Sequence, residues 1–129
     1  MMSTTFRFDG GVKKIKLAIV GSRTFNDYGL LCKTILENYD LDRIWCIVSG
    51  GARGADSLGE RFAKENGKDV IVLKAEWDKY GKSAGFKRNV DIIDTCDECI
   101  AFWDGVSHGT KHDIDLCKER GKECIICYF

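Results

Sequence analysis

The chain has 129 residues, of which 44% are hydrophobic and 31% are charged, a balance typical of one globular domain and not of a disordered or membrane-embedded chain. Twenty basic and twenty acidic side chains give a formal net charge of zero, which argues against affinity built on neutralising many phosphates but leaves a local basic patch open. No apolar stretch suits a secretory leader or a membrane span, so we expect a cytoplasmic protein without a membrane partner.

The hydrophobic pattern predicts strands and helices in alternation. In chain order these are strand 15–21, helix 26–40, strand 43–50, a helix from Ala55 that ends at Gly67, strand 68–75, a segment over 76–96 that becomes helical, strand 98–103, helix 109–121 and strand 122–129. Asn26 or Asp27 is expected to cap the first helix, and Phe86, Val90 and Ile93 are expected on one face of the helix within 76–96. Near-continuous apolar strands between helices predict an α/β domain over 15–129, with a mainly parallel sheet of about five strands covered on both faces. Residues 1–14 are expected to form an N-terminal extension, flexible or a short edge element.

Three loops are predicted to form a binding site. Ligands of parallel sheets bind beyond the carboxyl ends of the strands, near the point where strand order switches. That rule selects the loops at 21–26, 50–56 and 103–110, all of which contain glycine and polar residues.

The loop after the second strand, SGGARGAD, has the composition of an anion cradle. Its glycines let backbone amides approach a ligand, and the helix beginning near Ala55 adds its positive end. Asp56 has three open roles: complementing the helix dipole, binding ribose hydroxyls, or holding a catalytic water. The dinucleotide fingerprint GxGxxG is absent, and the GKS within 80–83 lacks the first P-loop glycine because Glu76 stands there.

The other two loops offer complementary groups. After the first strand, Ser22 and Thr24 supply hydroxyls and Arg23 a forked donor for phosphate or carboxylate. After the fourth strand, small residues including Gly109 and Thr110 precede or begin a helix whose N-terminus suits a phosphate.

The segment 75–89 adds aromatic and basic side chains. Trp77 and Tyr80 are candidates for stacking on a base, with Arg88 and Asn89 for sugar or phosphate contacts. Helical periodicity favours Asn89 over Arg88, because Arg88 is predicted to point away from the apolar face.

The seven cysteines are predicted to be reduced and mostly buried. Two CxxC pairs, Cys96 with Cys99 and Cys124 with Cys127, suggest a zinc site. The gap between the pairs exceeds the usual ribbon spacing, and residues three apart on a strand point to opposite faces. We therefore expect no metal.

Four motifs together resemble a known family. AIVGSRTF, VSGGARGAD, AEWDKYGKSAGFKRN and AFWDGVSHGTKHDI are similar, in the same order, to the YspA-type (cpYpsA-related) branch of the SLOG superfamily. The resemblance implies a single Rossmann-like three-layer domain whose glycine loops bind nucleotides or nucleotide-derived ligands. More distant relatives include the Lonely Guy phosphoribohydrolases and the single-stranded DNA-binding protein DprA. The Lonely Guy motif PGGxGTxxE is only partly kept, since this chain has Gly109 and Thr110 but offers His112 or Asp113 where the acid is expected.

Three functions are compatible with these residues and with the resemblance. The first is binding of a nucleotide or ADP-ribose-like molecule, as a sensor or in nucleotide metabolism, without a cofactor. The second is a nucleotide-processing hydrolase acting on an N-glycosidic bond, with Asp56 and Arg88 catalytic. The third is DprA-like binding of single-stranded nucleic acid. The sequence leaves open whether the protein is an enzyme and whether it forms a homodimer or a higher oligomer.

The predicted ligand-binding residues are Gly21, Ser22, Arg23, Thr24, Gly50, Gly51, Arg53, Gly54, Trp77, Tyr80, Lys82, Asn89, Trp103, Asp104, Gly105, Ser107, Gly109, Thr110 and Lys111.

Overall fold

The computed structural model describes residues 14–129, so the expected extension over 1–14 lies outside the described residues except for Lys14. The elements are β1 (Ile15–Gly21), α1 (Tyr28–Asn38), a 3₁₀ turn (Leu41–Arg43), β2 (Ile44–Ser49), α2 (Ala55–Glu65), β3 (Asp69–Val72), α3 (Trp77–Tyr80), a second 3₁₀ turn (Gly81–Ser83), α4 (Ala84–Thr95), β4 (Glu98–Trp103), α5 (His108–Glu119) and β5 (Cys124–Tyr128). Asp27 caps α1 by accepting a hydrogen bond from the Leu30 amide at 3.0 Å.

The strands form one parallel sheet in the order β3-β2-β1-β4-β5. The chain builds outward from β1 through β2 to β3, then crosses back to place β4 on the other side of β1. Strand order therefore switches between β1 and β4, and the carboxyl ends of these two strands open a crevice there.

Helices cover both faces of the sheet. On one face, Leu17 and Ile19 of β1 pack in a buried cluster with α1 and α2, which contribute Leu31 and Phe62. The alternate β1 residues, such as Ala18, face a second cluster formed with α4 and α5. This arrangement confirms the predicted three-layer α/β fold, and the side-chain alternation of β1 explains it.

The helical face predicted for α4 is partly wrong. Phe86 is 60% exposed and places its ring edge-on to that of His112, with centroids 4.7 Å apart. The buried face instead runs through Asn89, Ile92 and Ile93. Asn89, a polar residue, occupies this buried face because the part of α4 around it borders a cavity rather than the hydrophobic core.

Within residues 14–129, none of the helices combines the length and apolarity needed to cross a bilayer.

Candidate functional site

The loops that follow β1, β2 and β4 meet at the carboxyl edge of the sheet around a cavity of about 330 Å³. We call it the switch-point cavity, since it lies where strand order reverses. It is lined by Val20, Gly21, Ser22, Arg23, Thr24, Ala52, Asp56, Arg88, Asn89, Ile92, Asp104, Ser107, Gly109, Thr110 and Asp113.

A second cavity of about 420 Å³ adjoins the first. Its lining residues are Arg23, Gly50, Gly51, Ala52, Arg53, Lys74, Ala75, Trp77 and Arg88. Four of these are cationic and none is acidic, so we call it the basic cleft. The two cavities share Arg23, Ala52 and Arg88, which form the wall between them.

Ser22 ties the three loops together. Its amide donates to the Phe102 carbonyl at the end of β4 at 3.0 Å, and its own carbonyl accepts from the Ala55 amide at 3.3 Å. Its hydroxyl donates to Oγ of Ser107 at 3.1 Å. These bonds hold the first loop against the start of α2 and the loop before α5.

Two glycines permit this close approach. Gly54 has a φ of +81°, and a Cβ there would lie 2.5 Å from the Ser22 carbonyl oxygen. A Cβ on Gly50 would lie 2.7 Å from Nη1 of Arg88 and 2.8 Å from Oδ2 of Asp56. Gly50 thus leaves room for a guanidinium and a carboxylate beside the backbone.

Two helix N-termini border the switch-point cavity. Asp56 lies in the first turn of α2, and Gly109 and Thr110 lie in the first turn of α5. First-turn amides have no carbonyl partner within their own helix and carry the positive end of the helix dipole. Polar or anionic groups of a ligand are favoured at these positions.

Two carboxyl groups are buried in the switch-point cavity. Asp56 is 7% exposed and accepts a hydrogen bond from the Ala52 amide at 3.1 Å; burial raises its pKa to about 6. Asp113 is 5% exposed, and its Oδ1 has no hydrogen-bond partner among the described residues. Burial and the neighbouring Asp56 charge raise the pKa of Asp113 well above its ordinary value. An unsatisfied buried carboxyl facing a cavity is suited to hydrogen-bond a ligand.

Asp104 contrasts with these two carboxyls. It accepts hydrogen bonds from the hydroxyl and amide of Ser107 and from the Val106 amide, at 2.7–2.9 Å. These bonds lower its pKa to about 2. Asp104 therefore stabilises the loop before α5, and its charge is already compensated.

Arg88 is positioned by two hydrogen bonds. Nη1 donates to the Gly50 carbonyl at 2.7 Å, and Nε donates to Oδ1 of Asn89 at 3.1 Å. Asn89 in turn donates to the Gly109 carbonyl at 3.4 Å. Helical periodicity predicts that Arg88 leaves α4 away from the apolar face, and its long side chain then bends across to the β2 loop.

The structure brings most of the predicted site residues to these cavities. The switch-point cavity receives Gly21, Ser22, Arg23, Thr24, Asp56, Arg88, Asn89, Asp104, Ser107, Gly109 and Thr110, and the basic cleft receives Gly50, Gly51, Arg53 and Trp77. Gly54, Tyr80, Lys82, Trp103, Gly105 and Lys111 line neither cavity.

Local contacts explain three of these outlying positions. The indole of Trp103 donates to the Ser107 carbonyl at 3.0 Å and so braces the loop from outside. Lys111 forms an ion pair with Asp115, one helical turn away, at 2.8 Å. Lys87 lies over the ring of Tyr80, 4.7 Å from its centroid, on the outer surface.

Two charged lining residues are absent from the predicted ligand-binding residues, although the family resemblance already names Asp113 as one of two candidates for the acid. Asp113 follows Thr110 by three residues on the buried face of α5, a spacing that places both on one side of a helix. Lys74 follows β3, whose carboxyl end lies at the same edge of the sheet as the nominated loops. Both signals were present in the sequence.

Comparison with known proteins identifies the family. A sequence profile described as "YAcAr: YspA, cpYpsA-related SLOG family" matches residues 15–80. The Gene 61 protein of Mycobacterium phage D29 is 33% identical over an alignment of 113 residues, with coverage of 82% of this chain and 90% of the phage protein. The chain therefore belongs to the YspA, cpYpsA-related SLOG family, which confirms the resemblance carried by its motifs.

The fold is also similar to that of DNA processing protein A from Helicobacter pylori, in a structure that concerns its single-stranded DNA binding mode. The TM-score is 0.67 with 19% sequence identity, and the match covers 88% of this chain and 65% of the other. This chain thus spans slightly less than two thirds of that protein. At this identity the likeness extends to the fold alone.

Proposed function

We propose that this protein binds a nucleotide or an ADP-ribose-like molecule across the switch-point cavity and the basic cleft. The observation that carries the proposal is the division of charge at their common wall. Buried carboxyls and helix N-termini lie on one side of Arg23 and Arg88, and further cations with an indole lie on the other. A ligand with a hydroxyl-rich part and an anionic part matches both sides.

The switch-point cavity suits the ribose. Carboxyls accept hydrogen bonds from sugar hydroxyls, and Asp113 lines this cavity with a carboxyl whose buried Oδ1 has no partner among the described residues. The Asp56 carboxyl faces the same space. Asp56 is ionised above its pKa of about 6, and its charge offsets the attraction of the two helix N-termini for a phosphate, so sugar hydroxyls suit this space better.

The basic cleft suits the phosphates and the base. Arg53 and Lys74 join the two wall arginines around it, and arginine forks bind phosphate oxygens in pairs. Gly51, with a φ of +73°, turns the loop backbone here. Trp77 is 51% exposed and offers a ring face for stacking.

Calorimetry with a nucleoside, its monophosphate and ADP-ribose tests this division. We expect affinity to rise with each phosphate. Asp113→Asn should weaken the binding of all three ligands, whereas Arg53→Ala should weaken the binding of only the phosphorylated ones. Lys33→Ala, which removes an exposed cation from α1, is the matched control and should change nothing. Absence of heat and of any thermal shift with all three would exclude the proposal.

A hydrolytic role for the same site is favoured by one feature. Asp113 and Asp56 are buried carboxyls with raised pKa values in one cavity, the property that lets a carboxyl act in acid–base catalysis near neutral pH. Release of free base or ribose phosphate from a nucleoside monophosphate, abolished by Asp113→Asn, would support cleavage of an N-glycosidic bond. Intact substrate after prolonged incubation would leave binding as the function.

Binding of single-stranded nucleic acid is favoured by the basic cleft itself. Its four cations and the exposed Trp77 combine a phosphate track with a stacking surface, and a protein of similar fold is described as binding single-stranded DNA. Fluorescence anisotropy with labelled oligothymidine at several salt concentrations tests this candidate. Affinity that falls steeply with salt and with Arg53→Ala supports it, and no binding at low salt excludes it.

A further inference from the structure

Three cysteines from three elements meet away from the two cavities. Cys99 of β4 and Cys124 of β5 are register partners in the parallel sheet, and Cys117 of α5 packs over the same face. All three Sγ atoms lie within 4.8 Å of one another. Cys99 and Cys117 are fully buried and Cys124 is half-buried.

This cluster cuts across the two CxxC pairs. Cys124 packs in the layer with α4 and α5, whereas Cys127 packs in the opposite layer and lies 3.7 Å from Oγ1 of Thr34. The thiol of Cys96 donates to the Ile93 carbonyl at 3.5 Å. The cluster thus contains one cysteine from each CxxC pair, Cys99 and Cys124, together with Cys117 of α5.

We propose that Cys99, Cys117 and Cys124 form a three-thiolate site for a soft, thiophilic metal ion. Sulfur ligands at about 2.3 Å from a central ion lie about 4 Å apart, so the observed spacing closes around an ion with side-chain shifts of less than about 1 Å. Thiolates select Cu⁺ or Zn²⁺ over hard cations.

The ligand count favours Cu⁺ of these two ions. The group contains three sulfurs and no further histidine or carboxylate ligand among the described residues. Zn²⁺ in structural sites almost always takes four ligands, so it would need a water as the fourth. The half-buried Cys124 on the edge strand β5 supplies an entry path.

The test loads the reduced, full-length protein without oxygen. Cu⁺ is supplied in competition with bathocuproine disulfonate, and Zn²⁺ with a chromophoric chelator. Native mass spectrometry should show one ion per chain, and X-ray absorption should show three sulfur neighbours. Capture of Cu⁺ alone assigns a trigonal site, whereas capture of Zn²⁺ with an added oxygen neighbour assigns a four-coordinate one. Capture of neither ion overturns the proposal.

Alanine variants decide which cysteines bind. Cys117→Ala and Cys124→Ala should lose the ion, while Cys96→Ala and Cys127→Ala should keep it. Circular dichroism checks that each variant folds. Cys124 is only half-buried, so its variant keeps the test decisive if Cys117→Ala unfolds. Retention of the ion by folded Cys124→Ala, or its loss from the two controls, would show that these three cysteines are not the ligands.

Discussion

The switch-point cavity and the basic cleft share a wall but differ in charge. Three aspartates line the first, and two of them are buried. The lining of the second includes four cations and one indole, and none of the described residues that line it is acidic. A simple anion would need only the cleft, and a simple sugar only the cavity. This pairing is the basis of the proposal that one ligand carries both parts and contacts the arginines between them.

The two arginines of the wall differ in how firmly they are held. Arg88 is fixed by hydrogen bonds to Gly50 and Asn89, whereas Arg23 is exposed at the cavity mouth. A guanidinium already held in place loses less conformational entropy when a ligand binds. We therefore expect Arg88 to contribute more to affinity than its exposed partner.

The largest effect is expected from Gly54→Ala, which should disrupt the loops that form both cavities. Gly54→Ala places a Cβ 2.5 Å from the Ser22 carbonyl oxygen at a φ of +81°, so the loops after β1 and β2 must separate. The free energy of unfolding should fall by about 3 kcal/mol, measured by urea denaturation. Gly67→Ala is the matched control, because Gly67 has a φ of +66° but nothing within 4 Å of the added Cβ. It should cost about 1 kcal/mol. Equal losses for the two variants would show that loop contact is unimportant.

The second prediction compares how the carboxyls of Asp56 and Asp104 contribute to stability at different pH. The pKa of Asp56 is raised to about 6, so its contribution to stability is complete below pH about 4 and is lost as pH rises through 6. Asp56→Asn should therefore raise the free energy of unfolding at pH 8 by up to about 3 kcal/mol and flatten its dependence on pH between 4 and 7. Thermal unfolding across this range measures both.

Asp104→Asn is the control, because the pKa of Asp104 is shifted in the opposite direction from that of Asp56. The pKa of Asp104 is lowered to about 2, so its contribution is present above pH about 4 and lost as pH falls through 2. Asp104→Asn should bring no gain in stability at pH 8. A gain in both variants would mean that the two carboxyls have similar surroundings.

The third prediction concerns the wall and follows from the proposed function. Arg88→Ala should weaken the binding of a nucleoside monophosphate by about 30-fold, since hydrogen bonds to charged groups are worth about 1.5–3 kcal/mol. The affinity for the matching nucleoside should fall less. Lys87→Ala, the exposed neighbour on α4, should leave both affinities unchanged. Calorimetry that shows equal losses for nucleoside and nucleotide would place Arg88 outside phosphate recognition.

Much of this arrangement could be predicted from local sequence. The strand over 15–21 and the strand over 98–103 were predicted with the limits the structure shows, because buried parallel strands are short apolar runs ended by polar or glycine residues. Parallel strands place their carboxyl ends at one edge, so the loops after them had to converge. Ser22 and Asp56 could thus be predicted to lie together without any knowledge of long-range contacts.

Long-range side-chain contacts could not be predicted in this way. Arg88 bonds to Gly50, 38 residues away, and helical periodicity describes only where a side chain leaves the backbone. Cys117 joins Cys99 and Cys124 because α5 packs over β4 and β5, whereas sequence spacing draws attention to the CxxC pairs. Such contacts depend on packing between elements, which a one-dimensional pattern does not contain.

The smallest expected effect tests whether the basic cleft holds a base. Trp77 is 51% exposed beside the cleft, and Trp45 is 56% exposed near the start of β2, at the opposite edge of the sheet. Stacking on an exposed indole is worth about 1 kcal/mol, so Trp77→Ala should weaken nucleotide binding about fivefold. Trp45→Ala removes a similar surface and should leave affinity unchanged. If neither variant alters the affinity measured by calorimetry, the cleft holds only phosphate, and the base must lie elsewhere on the carboxyl edge of the sheet.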